Sequence, residues 1–353
     1  MAAVEFHPLT VDAVDRLTDD AVRVRFLVPP DKVDLFAHVP GQHLIVRSTI
    51  DGRDIRRSYS ICSPSGTDVL EVGIKHLAGG TFSTWANRDL RPGDVIEVTP
   101  PTGEFCHSPD SGERRSYGAI AAGSGITPIL SIIASTLRDE PTSEFTLVYG
   151  NREGRSVMFL DEIDALKGRY PDRFMVVHVL SRETHAVPLF EGRIDEGKLR
   201  ALFGSVVAAD AIDEWFLCGP RGVVEAARNV LGERGVHDDR VHDELFFAGD
   251  GPAVVAADDP VGSVVRFTLD GRTSTVIVDP DGAPILDHVL SVRPEGPFSC
   301  RSGACASCRA VVTAGEVRMD RNWSLNGDEV AAGQILTCQS HPLSDDVELT
   351  YDV

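Results

Sequence analysis

The chain has 353 residues, a formal net charge of −20 and seven cysteines. This length predicts two or three domains, each with its own core, and the excess of acid disfavours nucleic acid and anionic membranes, whose phosphates it would repel. The charge suits a partner with a basic docking face, although solubility alone also explains it. Residues 1–8 contain neither a basic start nor an apolar run, so no secretion signal is predicted and a cytoplasmic location is expected.

Short β-rich segments fill the first third of the chain, and turn residues such as Pro40-Gly41, Asp51-Gly52 and Pro92-Gly93 separate them. The segments cover residues 21–28, 43–49, 54–61, 69–75 and 95–98. Many short strands at this spacing predict an antiparallel β-barrel over residues 1–110.

Two short motifs in the predicted barrel suit a flavin. The guanidinium of Arg57 can neutralise pyrophosphate, the ring of Tyr59 can lie against the isoalloxazine, and the hydroxyl of Ser60 can hydrogen-bond its polar edge. Residues 79–83 offer backbone N–H groups and hydroxyls to a phosphate at a predicted helix start. For each motif alone, ordinary surface and core residues are the alternative. The candidate flavin contacts are Arg57, Ser58, Tyr59, Ser60, Val72, Ile74, Lys75, Gly80, Thr81, Phe82 and Ser83.

From residue 117 the pattern changes to alternating strands and helices. Apolar strands are predicted at 117–122, 145–150, 174–180 and 215–218, helices at 128–138, 157–170, 198–203 and 221–235, and a last strand at 241–246. This alternation predicts a parallel sheet with helices on both faces, an α/β domain over residues 111–247. The uncharged run 116–137 has Gly123, Gly125 and Pro128 at its centre, so a buried strand, turn and helix is predicted rather than a membrane span.

Two loops of the predicted α/β domain suit a nicotinamide dinucleotide. Glycines between a strand and a helix let the backbone approach a pyrophosphate, and we expect Thr127 at the N-cap and Pro128 at the first helical position. The third glycine of the usual dinucleotide fingerprint is absent. The second loop, at the carboxyl end of a later strand, contains Cys218, for which a small buried apolar role is the alternative. The candidate residues are Gly123, Ser124, Gly125, Thr127, Pro128, Cys218, Gly219 and Pro220.

Residues 248–262 are predicted to form a linker, because they are rich in Gly, Ala, Asp and Pro and lack periodicity. In the last segment, 263–353, a hairpin and a short helix at 285–292 precede Cys300, Cys305 and Cys308, with Cys338 thirty positions later. This spacing is typical of the plant-type ferredoxin loop that holds a [2Fe–2S] cluster. Zinc or four inert thiols are the alternatives, but zinc sites usually pair C-x2-C units. Cys62, Cys106 and Cys218 are expected to be free thiols.

In this order the motifs Arg57-x-Tyr59-Ser60, Gly80-x-x-Ser83, Gly123-x-Gly125-x-x-Pro128, Cys218-Gly219-Pro220 and the four cysteines resemble those of the ferredoxin–NADP⁺ reductase superfamily with a C-terminal ferredoxin domain. The resemblance implies an FAD-binding barrel, a nucleotide-binding domain and a β-grasp ferredoxin domain. It also implies hydride passage from nicotinamide to flavin, with Tyr59, Ser60, Thr127 and Cys218 as candidate catalytic residues.

Residues 39–44, 57–62, 119–128, 315–317 and 336–340 are most similar to the reductase subunits of bacterial phenylacetyl-CoA epoxidases. This similarity implies electron flow from NAD(P)H through FAD and [2Fe–2S] to a separate oxygenase, here a multisubunit di-iron epoxidase. The reductase of a Rieske 3-ketosteroid 9α-hydroxylase, or of another oxygenase, is the alternative within the same chemistry. A flavin and iron–sulfur redox sensor is the alternative from another class, but no segment is left over for an output module.

The family places a hydroxyl and a guanidinium after the strand that corresponds to residues 174–180 in members that choose NADPH. Ser181 and Arg182 hold that position here, and Arg152 could assist, so NADPH is favoured over NADH. Solvated loop arginines are the alternative. Around the cluster ligands, Arg301 and Arg309 are flanked by acidic residues that could face a basic partner: Glu295, Asp320, Asp328, Glu329, Asp345 and Asp346.

Overall fold

The computed structural model describes residues 5–112, 114–246, 262–293 and 296–352. The chain forms two compact units. One contains Met1–His7, Arg47–Ser58 and Ala248–Val353, and the other contains Pro8–Val46 and Tyr59–Phe247. The predicted linker lies, except for Gly262, outside the described residues.

The N-terminal segment forms a six-stranded sheet with one helix. Its elements are β1 (His7–Thr18), β2 (Ala21–Leu27), β3 (His43–Ile50), β4 (Arg53–Ser60), β5 (Leu70–Lys75), α1 (Thr81–Arg88) and β6 (Val95–Val98). The strand order is β4-β3-β6-β1-β2-β5. Ile61, directly after β4, forms an antiparallel bridge with Val72 of β5, so the two ends of this order meet.

Side-chain alternation explains why the N-terminal strands close around a core. In β2, Val22, Val24 and Phe26 are buried while the arginines between them are half-buried, the two-residue period expected of a strand with one apolar face. At the turn before β3, Gly41 has φ +97°, and a Cβ there would lie 2.2 Å from the carbonyl oxygen of Phe105. Only glycine fits that position.

The central segment alternates strands and helices. Its elements are β7 (Ser116–Ala122), α2 (Ile126–Asp139), β8 (Glu144–Asn151), α3 (Leu160–Arg169), β9 (Phe174–Leu180), α4 (Glu196–Phe203), β10 (Glu214–Gly219), α5 (Arg221–Glu233) and β11 (Val241–Leu245). All pairings in this sheet are parallel, in the order β11-β10-β7-β8-β9. The order reverses between β7 and β10, and ligands of open α/β sheets bind outside the carboxyl ends of strands at such a point.

The C-terminal segment is a mixed sheet with two short helices. Its elements are β12 (Ser263–Leu269), β13 (Arg272–Val278), α6 (Ile285–Val292), β14 (Arg309–Ala314), β15 (Val317–Met319), α7 (Gly327–Ala331), β16 (Gln334–Leu336), β17 (Ser340–Pro342) and β18 (Asp346–Thr350). Five strands form the main sheet in the order β13-β12-β18-β14-β16, with β12 and β18 parallel. Ile285 and Val289 of α6 join the core of this sheet.

The predicted fold class is confirmed: an antiparallel N-terminal sheet, a parallel central sheet and a C-terminal ferredoxin domain. Predicted and observed strand ends differ by a residue or two, because sequence patterns locate element ends less well than elements. Within the described ranges, no helix combines the length and apolar character needed to cross a bilayer. The uncharged run 116–137 forms β7 and α2, as predicted.

Candidate flavin, nicotinamide and cluster sites

The arginine, tyrosine and serine of the first motif lie on β4, next to its carboxyl end. Arg57 donates a hydrogen bond to the carbonyl of Arg56 at 2.7 Å. The ring of Tyr59 is half-buried, and its centroid lies 5.6 Å from that of Phe82 in α1. The strand and the helix start that the sequence linked to a flavin are therefore in contact through these two rings.

Hydrogen bonds within residues 77–83 stabilise the turn at the N-terminus of α1. Gly80 is the N-cap, and no side chain caps the helix. The hydroxyl of Ser83 accepts a hydrogen bond from the N–H of Leu77 at 3.1 Å and donates one to the carbonyl of Gly80 at 3.3 Å. The first N–H groups of the helix therefore have no side-chain acceptor, while the hydroxyl of Ser83 is hydrogen-bonded within the turn, and phosphate binding here stays a prediction.

The predicted flavin contacts on β5 differ among themselves. The side chains of Val72 and Ile74 are fully buried in the protein core, so any contact they make with a flavin comes from their backbone. Lys75 forms an ion pair with Asp20 at 3.5 Å. The assignment of these three residues stays a prediction.

A half-buried carboxylate that the sequence reasoning missed lies beside Ser60. The hydroxyl of Ser60 donates to Oε2 of Glu244 in β11 at 3.1 Å, and Nδ1 of His43 lies 3.9 Å from Oε1 of the same carboxylate. Burial raises the pKa of Glu244 to about 7 and lowers that of His43 to about 4. Near neutral pH this carboxyl group therefore exchanges a proton within hydrogen-bonding distance of the proposed flavin residue Ser60.

The glycine loop after β7 approaches the end of β10 closely. A Cβ at Gly125 would lie 2.2 Å from the carbonyl oxygen of Cys218, so this contact requires glycine. Cys218 is fully buried, and burial raises the pKa of its thiol. The candidate loops after β7 and β10 thus meet at the point where the strand order reverses.

The expected roles of Thr127 and Pro128 at the helix start are wrong. Helix α2 begins at Ile126 with Gly125 as N-cap, so both residues lie inside the first turn. The hydroxyl of Thr127 donates to the carbonyl of Ser124 at 3.0 Å instead of accepting an N–H. Its methyl group packs against β5, where a Cβ at Gly73 would come within 2.6 Å of it. The preceding 3₁₀ turn, 123–125, carries the chain into the helix earlier than the pattern suggested.

The three residues linked to NADPH come together on two neighbouring loops. The N–H of Ser181 donates to the carbonyl of Asn151 at 2.9 Å, and the N–H of Arg182 donates to that of Arg152 at 2.8 Å. Both arginines are exposed, and neither forms an ion pair with another described residue. Glu183 accepts from the N–H of Gly154 in the same region at 2.8 Å. The guanidinium groups of Arg152, after β8, and Arg182, after β9, thus have no carboxylate partner among the described residues.

The cysteine loop folds so that backbone N–H groups point at sulfur. The N–H of Cys300 lies 3.4 Å from Sγ of Cys305, and that of Ser302 lies 3.4 Å from Sγ of Cys300. Arg301, Gly303 and Ala306 have φ of 56°, 81° and 52°, which curls the loop tightly. Hydrogen bonding with the Cys305 thiol, and then with Ser302 and the N–H of Ala304, lowers the pKa of the Cys300 thiol, while the same pairing raises the pKa of Cys305.

The fourth cysteine reaches the loop from a separate element, as the spacing predicts. Cys338 lies in a 3₁₀ turn after β16. Next to it, Thr337 donates from its N–H and its hydroxyl to the carbonyl of Cys308, at 3.1 and 2.9 Å. The hydroxyl of Tyr351 donates to that of Thr337 at 3.0 Å. This buried network fixes Cys338 beside Cys308.

The donor set fits a two-iron cluster better than a single metal ion. The sulfur atoms form two hydrogen-bonded pairs, Cys300 with Cys305 and Cys308 with Cys338. Across the part of the chain that the structure describes, no three His, Cys, Asp or Glu side chains are gathered tightly enough for one ion. Tetrahedral zinc needs all four thiolates around one centre, whereas a [2Fe–2S] cluster needs two on each of two irons.

The acidic residues around the cluster loop are partly neutralised. Asp320 pairs with Arg318 and His341, Glu329 pairs with Arg309 at 3.0 Å, and Asp346 pairs with Arg266 at 3.0 Å. Asp328 and Asp345 are exposed, with no ion pair to another described residue, and Glu295 lies outside the described residues. Arg301 pairs with Asp287 at 2.6 Å. The exposed charge near the cluster is therefore smaller than the residue count suggests.

The fold and these sites define a flavin-dependent oxidoreductase with its own iron–sulfur domain. Three families match in succession: oxidoreductase FAD-binding domain at residues 8–107, oxidoreductase NAD-binding domain at 119–229, and 2Fe-2S iron-sulfur cluster binding domain at 267–343. These matches fall on the three segments that contain the flavin, nicotinamide and cysteine motifs.

Relatives of known function share this arrangement. The chain is 40% identical to a component protein of the 1,2-phenylacetyl-CoA epoxidase of Escherichia coli (strain K12), over 98% of each chain. It is 37% identical to the ferredoxin reductase component of 3-ketosteroid-9-alpha-monooxygenase of Mycobacterium tuberculosis (strain ATCC 25618 / H37Rv), over 95% of this chain and 93% of that one. The solved structure of phthalate dioxygenase reductase superposes with a TM-score of 0.64 at 26% identity, over 98% of each chain.

The chain belongs to the family of oxygenase reductase components that combine FAD-binding, NAD-binding and [2Fe–2S] domains. It is an NAD(P)H-dependent oxidoreductase that binds FAD and a [2Fe–2S] cluster and passes electrons to a separate oxygenase component. The predicted cofactors and enzyme class are confirmed.

Proposed function

We propose that this chain is the reductase of a phenylacetyl-CoA epoxidase and takes its electrons from NADPH. The observation that supports this choice of partner is the 40% identity to the Escherichia coli 1,2-phenylacetyl-CoA epoxidase component over 98% of both chains. The terminal oxygenase is then a multisubunit di-iron epoxidase. We further propose domain bounds of 1–110, 111–247 and 263–353, with 248–262 as the linker.

FAD supplies the conversion between a two-electron hydride and the single electrons that a [2Fe–2S] cluster accepts. In this proposal Arg57 neutralises the FAD pyrophosphate, the N–H groups at the start of α1 bind phosphate, and the ring of Tyr59 covers the isoalloxazine. Ser60 hydrogen-bonds the polar edge of the ring system, and its hydroxyl is held by Glu244 at 3.1 Å. His43 sets the environment of that carboxyl group from 3.9 Å.

The nicotinamide is bound in the proposal by the loops after β7 and β10. Gly123, Ser124 and Gly125 admit the pyrophosphate, while Thr127 and Cys218 line the floor. Both side chains are fully or almost fully buried, so they exclude water from the position of hydride transfer. The burial that raises the pKa of Cys218 keeps it a neutral thiol, which adds no charge next to the transferring hydride.

The preference for NADPH rests on Ser181, Arg182 and Arg152. Their loops are hydrogen-bonded side by side, and the two guanidinium groups have no carboxylate partner among the described residues. A 2′-phosphate would supply one, with charge-assisted hydrogen bonds. Glu183, on the same loop, is the residue through which NADH binding would be favoured instead, by accepting from a ribose hydroxyl.

A 3-ketosteroid hydroxylase is the second candidate partner, because the 37% identity to its ferredoxin reductase component covers nearly the same residues. The deciding experiment is a reconstituted mixture of this protein, NADPH and each purified oxygenase with its substrate. We expect epoxide from phenylacetyl-CoA only with the di-iron epoxidase, coupled to NADPH oxidation. Product only with the ketosteroid oxygenase would transfer the assignment to the second candidate.

Salt dependence tests how the partner docks. The exposed carboxylates Asp328 and Asp345 are the candidates for contact with a basic oxygenase face. We expect product formation to weaken as ionic strength rises, whereas reduction of ferricyanide by the flavin changes little after correction for the charge of that acceptor. Equal salt dependence of both reactions would contradict an electrostatic docking face.

A further inference from the structure

The hairpin segment Arg47–Ser58 belongs to the same compact unit as the residues that lead into the cysteine loop. Arg56, on β4, is only 4% exposed although it is an arginine. Its guanidinium carbon lies 4.7 Å from the ring centroid of Phe298, and its Nη1 donates to the carbonyl of Gly296 at 3.3 Å. The guanidinium carbon of Arg301 lies 4.9 Å from the centroid of the same ring. A buried cation and an aromatic ring thus join β4 to the segment before the first ligand.

A second contact lies two residues along the strand. The hydroxyl of Ser58 is 2.5 Å from that of Ser299, and Ser299 is 1% exposed. At this distance one hydroxyl donates its hydrogen to a lone pair of the other, so the two side chains are hydrogen-bonded. Arg56 and Ser58 point to the same face of β4, because strand residues two apart share a face.

These contacts lie next to two residues with proposed functional roles. Ser58 directly precedes Tyr59, and Ser299 directly precedes the ligand Cys300. Neighbouring Cα atoms are about 3.8 Å apart, so one hydrogen bond connects the residues next to the proposed flavin tyrosine and the first cluster thiolate.

We propose that Arg56 and Ser299 are positioning residues for electron transfer from FAD to the cluster: through Phe298, Gly296 and Ser58 they hold the Cys300 end of the cysteine loop against β4. The inference rests on the proposed flavin role of β4. When bound, FAD would supply two electrons, which the cluster would accept one at a time and pass to the oxygenase. In this proposal both residues act through the loop, by their contacts with Phe298, Gly296 and Ser58.

The test compares Ser299→Ala and Arg56→Lys with the wild-type holoenzyme in anaerobic stopped-flow with NADPH and no oxygenase. We expect flavin reduction at the wild-type rate and cluster reduction slower by about tenfold or more, since small displacements of a reacting group have large kinetic effects. Iron content and the electron paramagnetic resonance spectrum of the reduced cluster should stay unchanged. Thr268→Ala is the matched control, because it removes one half of another hydroxyl pair, with Thr273 at 3.1 Å, and should change neither rate.

A cross-linking readout is independent of turnover. In the Ser58→Cys, Ser299→Cys double variant we expect a disulfide in the holoenzyme, identified by peptide mass, since the oxygens lie within reach of the short S–S bond. The Thr268→Cys, Thr273→Cys pair reports whether the oxidation conditions are adequate. The proposal is overturned if this control pair cross-links while the 58–299 pair does not, or if both single variants reduce the cluster at the wild-type rate. Failure of the flavin assignment would look different: Arg57→Ala would then retain FAD.

Discussion

The cysteine loop and the flavin and nicotinamide sites are built in opposite ways. Three of the four cluster ligands come from one stretch of nine residues, 300–308, whose own backbone turns aim N–H groups at the sulfurs. The hydroxyl of Ser60, in contrast, meets Glu244 from 184 residues away and has His43 near that carboxylate. A site made from one stretch of residues can be recognised in the sequence. A site made from residues on several distant strands can be recognised only when the order of the strands in the sheet is known.

The largest effect is expected in the contiguous site, where each ligand is indispensable. Replacing any one of Cys300, Cys305, Cys308 or Cys338 by Ser should remove most of the iron, because one of the two irons would lose one of its two protein thiolates. Flavin reduction by NADPH should continue in all four variants. Iron and sulfide analysis measures the loss, with Cys106→Ser as the matched control that keeps its iron. Full iron content in all four variants would show that the cluster is elsewhere.

The second effect concerns FAD binding. Arg57→Ala should weaken FAD binding by about 10- to 100-fold, the loss expected when a hydrogen-bonded charge pair of roughly 1.5–3 kcal/mol is removed. Flavin content after gel filtration and a titration of the apoprotein with FAD measure the change. Arg53→Ala, on the same strand but exposed, serves as the control. An Arg57→Ala protein with unaltered FAD affinity would assign the pyrophosphate to other residues.

The third effect concerns the carboxyl group of Glu244, and it is measured as the pH dependence of protein stability. Burial raises the pKa of Glu244 from its ordinary 4.5 to about 7, so the folded state holds this proton more tightly than the unfolded state. The contribution of this group to stability is therefore complete below pH 4.5 and is lost as pH rises towards 7. We expect Glu244→Gln to become progressively more stable relative to wild type over that window, by on the order of 1–3 kcal/mol.

Urea unfolding of the apoprotein between pH 4.5 and 8 measures this difference. His43 contributes with the opposite sign, because its lowered pKa of about 4 makes stability rise with pH between about 4 and 6.5. The His43→Gln variant should therefore show the reverse trend over that range. A constant difference between wild type and Glu244→Gln across the window would mean that the carboxyl group titrates normally.

The smallest effect is expected at the exposed nicotinamide loops. Arg182→Ala should lower kcat/KM for NADPH by about two- to fivefold and leave that for NADH unchanged, since exposed ion pairs contribute about 1 kcal/mol or less. Arg155→Ala, another exposed arginine that pairs with Glu153, is the control. Equal specificity constants for the two nucleotides, unaltered in Arg182→Ala, would contradict the preference for NADPH.

The sequence predicted the contiguous motifs and most strands and helices of the first two segments, but it missed β1 (His7–Thr18), and it failed where tertiary contacts decide. Hairpin signals and the strand–helix alternation were sufficient for the three folds, and the cysteine spacing for the cluster loop. The start of α2 was misplaced because a 3₁₀ turn at 123–125 precedes the Thr-Pro pair that usually marks a helix start. Glu244 was missed because a single acid within a short strand has no local signature, and its environment depends on Ser60 of β4 and His43 of β3 lying beside it.

Arg56 and Ser299 were missed for a related reason. An arginine on an antiparallel strand is usually a solvated side chain, and nothing within residues 53–60 shows that Phe298 lies over its guanidinium. Ser299 is next to the ligand Cys300, and the cysteine spacing assigns a role to the thiol but none to the neighbouring serine. The proposed positioning role of each residue depends on a contact with a partner more than 200 positions away in the sequence.

The most direct test of the electron path is a single-turnover experiment on the wild-type protein. Mixed anaerobically with one equivalent of NADPH, the flavin absorbance should bleach first and the cluster absorbance should follow in a second, concentration-independent phase. Protein stripped of FAD should show no cluster reduction at all, and readdition of FAD should restore it. Reduction of the cluster by NADPH at the same rate without FAD would contradict the account.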